Sequence, residues 1–566
     1  MKSHRGLLFL TVAISILFLS GCMSTKLPDS YTVNPEVLEA KGGEVAFTVN
    51  GTVPEKSFHK KAKVEFTPYL KYGDQVKELK PFTLRGEKTE GEGTVINSKT
   101  GGSFTYNETF DYTDDMHASE LFVNAKVIKG SKVQEFNDIK LADGIIATYQ
   151  NIEHTENAIL APSGYERETI ITKMATIYYM QNRYNVNWSI DLNKSDEAKA
   201  ALNEVYAFLE QGWEIKDVAI DAWASPEGEI DFNDNLADDR AESAKKYMES
   251  KVAKLTDAED VKYLVKGHGE DWDGFMKSVQ NSDLPEKSTI LNVVNSQSDV
   301  SKREQEMRNM TVIYKEVADK ILPPLRRAEI KVSCYEPKRT DEEIAQLAVT
   351  SPDSLTYVEL LHAATLTEDH QAKYNIYRAS FSNPNRDWKA YNNAAVEAVE
   401  MDMISDASNL LMQAEKLSKN NGMIENNMGV VASHTGDYAK AEEHFLNAQK
   451  NGEDVSYNLG VMAIQKGEYQ KALTYFKNTK CDHNVAMAQM FTDNMKDAMT
   501  NLKCAPVSAN TYYMLAVYGA RTNDGDMVFE YLGKAIGMDA SMKEKAKEDR
   551  EFLKYFDNEA FKSLVM

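Results

Sequence analysis

Apolar and polar positions alternate along the chain from about 45 to 128. Val45, Phe47 and Val49 form one such set, Val64 and Phe66 another, then Phe104 and Tyr106, then Leu121, Val123, Ala125 and Val127. A period of two puts each set on one face of a strand. Gly42-Gly43, Gly91-Glu92-Gly93 and Gly101-Gly102 punctuate the runs. The pattern predicts an antiparallel β-sandwich over residues 22–155. From about 165 to 335 the two periods mix. Ala201, Leu202, Val205, Phe208 and Leu209 share one side of a helix over 195–211. A strand over 218–223, a helix over 236–251 and strands over 261–266 and 328–332 follow, an α/β order of β-α-β-α-β-β with a helical insertion at about 271–322. From about 345 to 566 the spacing is helical throughout.

The helical stretch repeats itself. Ala395, Ile404, Ala407, Leu411 and Ala414 reappear 34 residues on as Gly429, Tyr438, Ala441, Phe445 and Ala448. The first four of these reappear 31 residues further on as Gly460, Tyr469, Ala472 and Phe476. A small residue at each helix crossing lets two backbones approach, and the aromatic fills the gap between stacked hairpins. With turn pairs at Gly436-Asp437 and Gly467-Glu468, this resembles the tetratricopeptide repeat (TPR). Weaker units around Ala486, Ala498 and Leu502, around Ala516, Leu532 and Ala535, and near 360–377 bring the expectation to five or six repeats in an all-α solenoid. The resemblance implies a concave groove for a protein partner. The N-terminal sandwich is expected to be immunoglobulin-like in architecture, with a spacer or docking role.

The middle region carries a more specific pattern. Ala222-Trp223-Ala224-Ser225-Pro226-Glu227-Gly228 is followed without a gap by Asn233, Leu236, Arg240 and Ala241. Lys266-Gly267-His268-Gly269-Glu270 and Arg326-Arg327-Ala328-Glu329-Ile330 come later. Together they resemble the peptidoglycan-binding OmpA C-terminal domain, which would span 160–338. The resemblance implies that Arg240 presents a planar fork of donors to the carboxylate of the stem peptide's diaminopimelate. Ser225 stands where that family has an aspartate for the ligand ammonium. A hydroxyl accepts a hydrogen bond without a charge, and the swap is expected to weaken binding by about tenfold. Glu227 or Asp221 could supply the missing charge. Asn233 and Arg327 complete the set the resemblance implies. The bland alternative treats Asn233, Leu236 and Ala241 as turn, core and packing residues and Arg240 as a surface residue or a partner of Asp238 or Asp239.

The first residues add a location. Lys2 and Arg5 precede an apolar run from Leu7 to Leu19, too short to span a membrane comfortably. It ends in Leu19-Ser20-Gly21-Cys22, which resembles the lipobox of bacterial lipoproteins. That implies removal of residues 1–21 and lipidation, palmitate included, of Cys22, whose acyl chains each contribute about 0.8 kcal/mol per buried methylene. The module set resembles Bacteroidota-type outer-membrane lipoproteins. No acidic run follows Cys22, which points to the periplasmic face.

Charge and chemistry then narrow the function. The formal net charge is −22, and −24 once Lys2 and Arg5 are removed. Such a surface repels nucleic acid and anionic lipid. No HExxH, G-x-S-x-G or P-loop occurs, and the ten histidines are scattered. No cofactor, no metal and no catalysis are expected. Cys481 and Cys504 are read equally as a disulfide or as two small buried residues. The expectation is an outer-membrane-anchored periplasmic adaptor between peptidoglycan and a protein partner. The alternative is a scaffold subunit of a secretion or outer-membrane assembly machine whose OmpA-like site no longer holds peptidoglycan. Surface adhesion is a third reading and requires outward export.

Overall fold

The computed structural model describes residues 25–28, 30–256, 260–309 and 311–566. Cys22 and the segment 1–21 lie outside the described residues. Contacts divide the chain into two compact units. The first joins the residues up to Ser163 with Thr367–Met566, and the second is Gly164–Leu366.

Among the described residues, the N-terminal part of the first unit holds eleven strands: β1 (Ser30–Asn34), β2 (Val37–Lys41), β3 (Glu44–Val53), β4 (Lys63–Tyr72), β5 (Gln75–Glu78) and β6 (Phe82–Gly86), then β7 (Thr94–Ile96), β8 (Gly102–Asp111), β9 (Glu120–Lys129), β10 (Lys132–Glu135) and β11 (Ile139–Ile146). Their order is β1-β3-β2-β11-β9-β4-β6-β7, with β8 on β3, β5 on β4 and β10 on β9. Alternate residues face inward as their period requires. Val45, Phe47 and Val49 of β3 and Leu121, Val123, Ala125 and Val127 of β9 are all buried. Phe104 of β8 meets Phe66 of β4 and Phe82 of β6, with ring centroids 6.0 and 5.4 Å away. The expectation of a purely antiparallel sandwich needs correction. β11 runs parallel to β2 and β7 parallel to β6, so the sheet is mixed. Alternation reports which face of a strand is buried and says nothing about the direction of its neighbour.

The same unit continues in five helical hairpins. Trp388–Glu400 pairs with Ile404–Leu417, Gly422–His434 with Tyr438–Lys450, and Ser456–Gln465 with Tyr469–Tyr475. His483–Phe491 then pairs with Met495–Cys504, and Ala509–Thr522 with Gly525–Met538. Gly436 and Gly467 turn the second and third hairpins in the left-handed region, with φ of 77° and 72°. Cys481 and Cys504 form a disulfide that closes the fourth hairpin. The sheet docks directly on these helices. A side chain at Gly42, in the turn between β2 and β3, would lie 2.3 Å from the Lys466 backbone. Arg521 reaches both Glu39 of β2, at 2.6 Å, and Glu551.

The second unit is a four-stranded sheet in the order β12 (Ile170–Tyr178), β15 (Arg327–Tyr335), β13 (Ile215–Ala224), β14 (Tyr263–Glu270). Helix Asp196–Leu209 joins β12 to β13, and helix Ile230–Leu255 joins β13 to the parallel β14. Val218, Ile220 and Ala222 of β13 pack with Ala241, Ala244 and Met248 of the second helix. Between β14 and β15 stands a helical insertion with its own small core of Phe275, Val279, Ile290, Val294 and Leu322. The helices Asp341–Thr350 and Tyr357–Ala363 belong to this unit, although their sequence reads as a continuation into the repeats.

Candidate functional site

Two places in the fold gather the residues the sequence singles out. The first is the loop after β13, at the start of helix Ile230–Leu255. Arg240 sits nearly three turns into that helix and is buried, 1% exposed. All three arms of its guanidinium donate to backbone carbonyls: Nε to Arg183 O at 3.1 Å, Nη1 to Trp223 O at 2.9 Å and Nη2 to Met180 O at 3.1 Å. Its flat face lies 5.4 Å from the centre of the Tyr179 ring. Burial pushes its pKa down to about 10. The fork is therefore turned on the chain itself and away from any approaching carboxylate. Neither Asp238 nor Asp239 pairs with it.

Ser225, Glu227, Asn233 and Arg327 are also engaged. Ser225 Oγ donates to Glu227 Oε1 at 2.6 Å. Arg326 donates to both, and its Nη2 is 2.7 Å from the carboxylate. From the insertion, Arg308 Nη2 donates to the Glu227 carbonyl at 2.7 Å. Asn233 Nδ2 donates to Glu270 Oε1 at 2.7 Å, and Trp272 Nε1 donates to the other oxygen at 2.8 Å. Arg327 pairs with Asp271 and with Glu329, and lies 4.4 Å over Trp223, whose ring also stacks on His268. Asp221 accepts from His268 at 2.7 Å and from Lys331 at 3.4 Å. Burial alone would raise its carboxyl, but those two bonds outweigh it and hold the group below its usual range. Each charge implied by the OmpA resemblance thus has a partner inside the unit. The insertion supplies one more buried group, Glu304. Burial, and after it a hydrogen bond with Glu270, push its carboxyl up to about 8.

The second place is the face of the hairpin array formed by its first helices. The small residues of the repeat meet their aromatics as the spacing requires. A side chain at Gly429 would lie 2.6 Å from the Phe445 ring, and one at Gly460 would lie 2.4 Å from Phe476. Ala441 and Ala472 are fully buried beside them, and Tyr438 and Tyr469 pack against the same core. Tyr469 also stacks on Phe491 at 4.3 Å.

Two positions before each small residue stands an asparagine, which the small-residue spacing does not itself mark: Asn393 before Ala395, Asn427 before Gly429, Asn458 before Gly460 and Asn484 before Ala486. All four are buried, 2% exposed or less. Their side chains hold an extended segment of the same unit, residues 151–163. Asn393 accepts the N–H of Ala161 at 2.7 Å and donates to its carbonyl at 2.9 Å. Asn427 does the same for Ile159, at 2.7 and 2.8 Å. Asn458 does so for Asn157, at 2.7 and 3.0 Å, and Asn484 for Glu153, at 2.9 and 2.8 Å. Asn392 and Asn426 add a donor each to the carbonyls of Ile159 and Asn157, and His483 Nε2 meets the Asn151 carbonyl at 2.8 Å. The groove that the sequence reserves for a partner is filled by this segment. The signal was available: Asn392-Asn393 and Asn426-Asn427 repeat at the same offset of 34 as the small residues. A polar pair at a buried position of a repeat needs a hydrogen-bonding partner the repeat itself does not contain.

No protein family matches the chain, and no curated protein does. Solved structures do. A tetratricopeptide repeat protein from Parabacteroides merdae is 14% identical over 46% of this chain and 98% of its own, with a TM-score of 0.29. YrrB, described as a TPR protein with an unusual peptide-binding site, is 17% identical over 37% of this chain and all of its own, with a TM-score of 0.22. Pseudomonas aeruginosa pilF is 13% identical over 40% of this chain and 98% of its own, with a TM-score of 0.27. The repeat architecture stands here on the hairpins and on the interlocked glycines and phenylalanines. Among the described residues, no group of three or more His, Cys, Asp or Glu side chains could hold a metal ion.

Proposed function

We propose that this chain is a lipid-anchored, non-catalytic scaffold of the bacterial envelope, fixed to the outer membrane through Cys22 and working in the periplasm. In this reading the OmpA-like unit is kept as a folded body for assembly and does not grip peptidoglycan. The observation that carries it is the internal pairing of Arg240. Three of the five guanidinium donors, one on each nitrogen, are spent on backbone carbonyls, and at 1% exposure the group presents none of the rest to a stem-peptide carboxylate. Freeing it would strand those carbonyls without partners, at about 1–3 kcal/mol each. Glu227 is likewise neutralised by Arg326. The Cys481–Cys504 disulfide supports a compartment outside the reducing cytosol.

The test is sedimentation of the mature full-length protein with purified, insoluble sacculi. The scaffold reading expects the protein to stay in the supernatant. Co-sedimentation that free diaminopimelate abolishes would replace it with the tether, in which the chain links cell wall and partner. Mass spectrometry of the N-terminal peptide from native membranes checks the anchor. A leader still attached, or an unmodified thiol at Cys22, would remove the membrane from the picture.

A further inference from the structure

We infer that the asparagine-lined face of the repeat array is a receptor for an extended polypeptide, that it reads mainly the main chain, and that its resident ligand is the chain's own segment 151–163. The chemistry is a carboxamide laid against a peptide unit. Each of Asn393, Asn427, Asn458 and Asn484 offers one acceptor and one donor to the N–H and C=O of a single residue, eight hydrogen bonds in all. Ala161, Ile159 and Asn157 are two apart, the interval at which an extended chain turns the same edge back to the same side. Side chains add to the recognition at several points. Ile152 joins the apolar core of the array, Glu156 is buried against Ser433, Ala161 is buried, the Thr155 hydroxyl meets that of Tyr457 at 2.8 Å, and the His154 ring stacks on Tyr438 at 5.8 Å. Asn157, Leu160 and Pro162 are exposed and leave the ligand's sequence free at those positions. The class of ligand is thus an extended peptide with an apolar residue, an acidic residue four positions on and a small residue five beyond that.

Covalent continuity at both ends makes the resident segment hard to displace. A tether of this kind gives an effective concentration of about millimolar. A free peptide of the same sequence at micromolar concentration therefore does not compete. The groove binds in cis, and other proteins meet this unit elsewhere.

The experiment uses the full chain with residues 152–162 replaced by a Gly/Ser linker of equal length, and a fluorescent synthetic peptide of residues 151–163. The expected result is saturable binding to the replaced chain, weakened about tenfold or more by Asn427→Ala, and none to the intact chain. A replaced chain that keeps its helical circular dichroism yet binds no peptide overturns the receptor. An intact chain that binds as well as the replaced one overturns the cis occupancy. If the replaced chain does not fold, hydrogen exchange on the intact protein decides. The amides of Asn157, Ile159 and Ala161 are expected to be protected, and Asn427→Ala to speed exchange at Ile159 about tenfold. Amides that exchange like an open loop would sink the proposal.

Discussion

The loop around Arg240 and the groove around Asn427 face the same physical demand and meet it in opposite ways. In both, strongly polar side chains are carried into the interior on a helix, where an unmet hydrogen bond costs about 1–3 kcal/mol. Arg240 finds its partners within 60 residues, on the loop after β12 and at the end of β13 in its own unit. Asn427 finds its partner 268 residues away, in a segment that precedes the whole of the second unit in the chain. The first solution closes a place where a family resemblance implies an open ligand site. The second builds a peptide-binding groove and fills it. Buried polarity alone does not announce a site; what matters is whether its partners come with the same unit of fold or have to be threaded in.

The largest effect should come from breaking the local solution. Arg240→Ala leaves three buried carbonyls unmet and a void beside Tyr179, and is expected to destabilise the Gly164–Leu366 unit by about 3 kcal/mol or more in urea unfolding. Arg240→Lys should recover only part of this, because an ammonium cannot reach three divergent carbonyls. A variant as stable as the parent would mean that those carbonyls are readily hydrated and the site is more open than its geometry.

Next comes the covalent clamp on the threaded side. Cys481→Ser with Cys504→Ser removes a cross-link spanning 23 positions, and the chain-entropy argument puts the loss at about 3 kcal/mol. It should lower the melting of the array, followed by hydrogen exchange in helices His483–Phe491 and Met495–Cys504, and leave the Gly164–Leu366 unit unchanged. Reductant should mimic it. Loss of stability in both units together would show that they do not unfold independently.

The smallest effect is electrostatic. Glu304 is held protonated by burial and by Glu270, with its carboxyl near 8 in place of the ordinary 4.5. The folded state then binds a proton that the unfolded state has released between those values. Stability is fullest below the unfolded value and falls as pH rises toward about 8, then levels off. Glu304→Gln should flatten that slope between pH 5 and 8 in denaturant titrations of the intact chain. An unchanged slope would place the titrating group elsewhere.

Much of the architecture can be read along the chain because it is local. Alternation in β3 and β9 marks which residues face inward, and the 34-residue offset marks where helices cross, since both follow from the geometry of a single strand or hairpin. Chemistry is less legible. Ser225, Glu227, Asn233 and Arg240 lie near one another in sequence, but whether such residues face a ligand depends on partners such as Arg308 and Arg326, which arrive from elements 60 or more residues away.

The sequence by itself determined the periodicities, the buried faces and the small-residue seams, because these depend on neighbours within a few residues. Only the tertiary structure decided the parallel pairing of β2 with β11, the inward turn of Arg240 and the threading of residues 151–163 through the asparagines. Each of these is a choice of partner across a long stretch of chain. A side chain's donors and acceptors state that a partner is required, and the fold alone states which one comes within 3 Å.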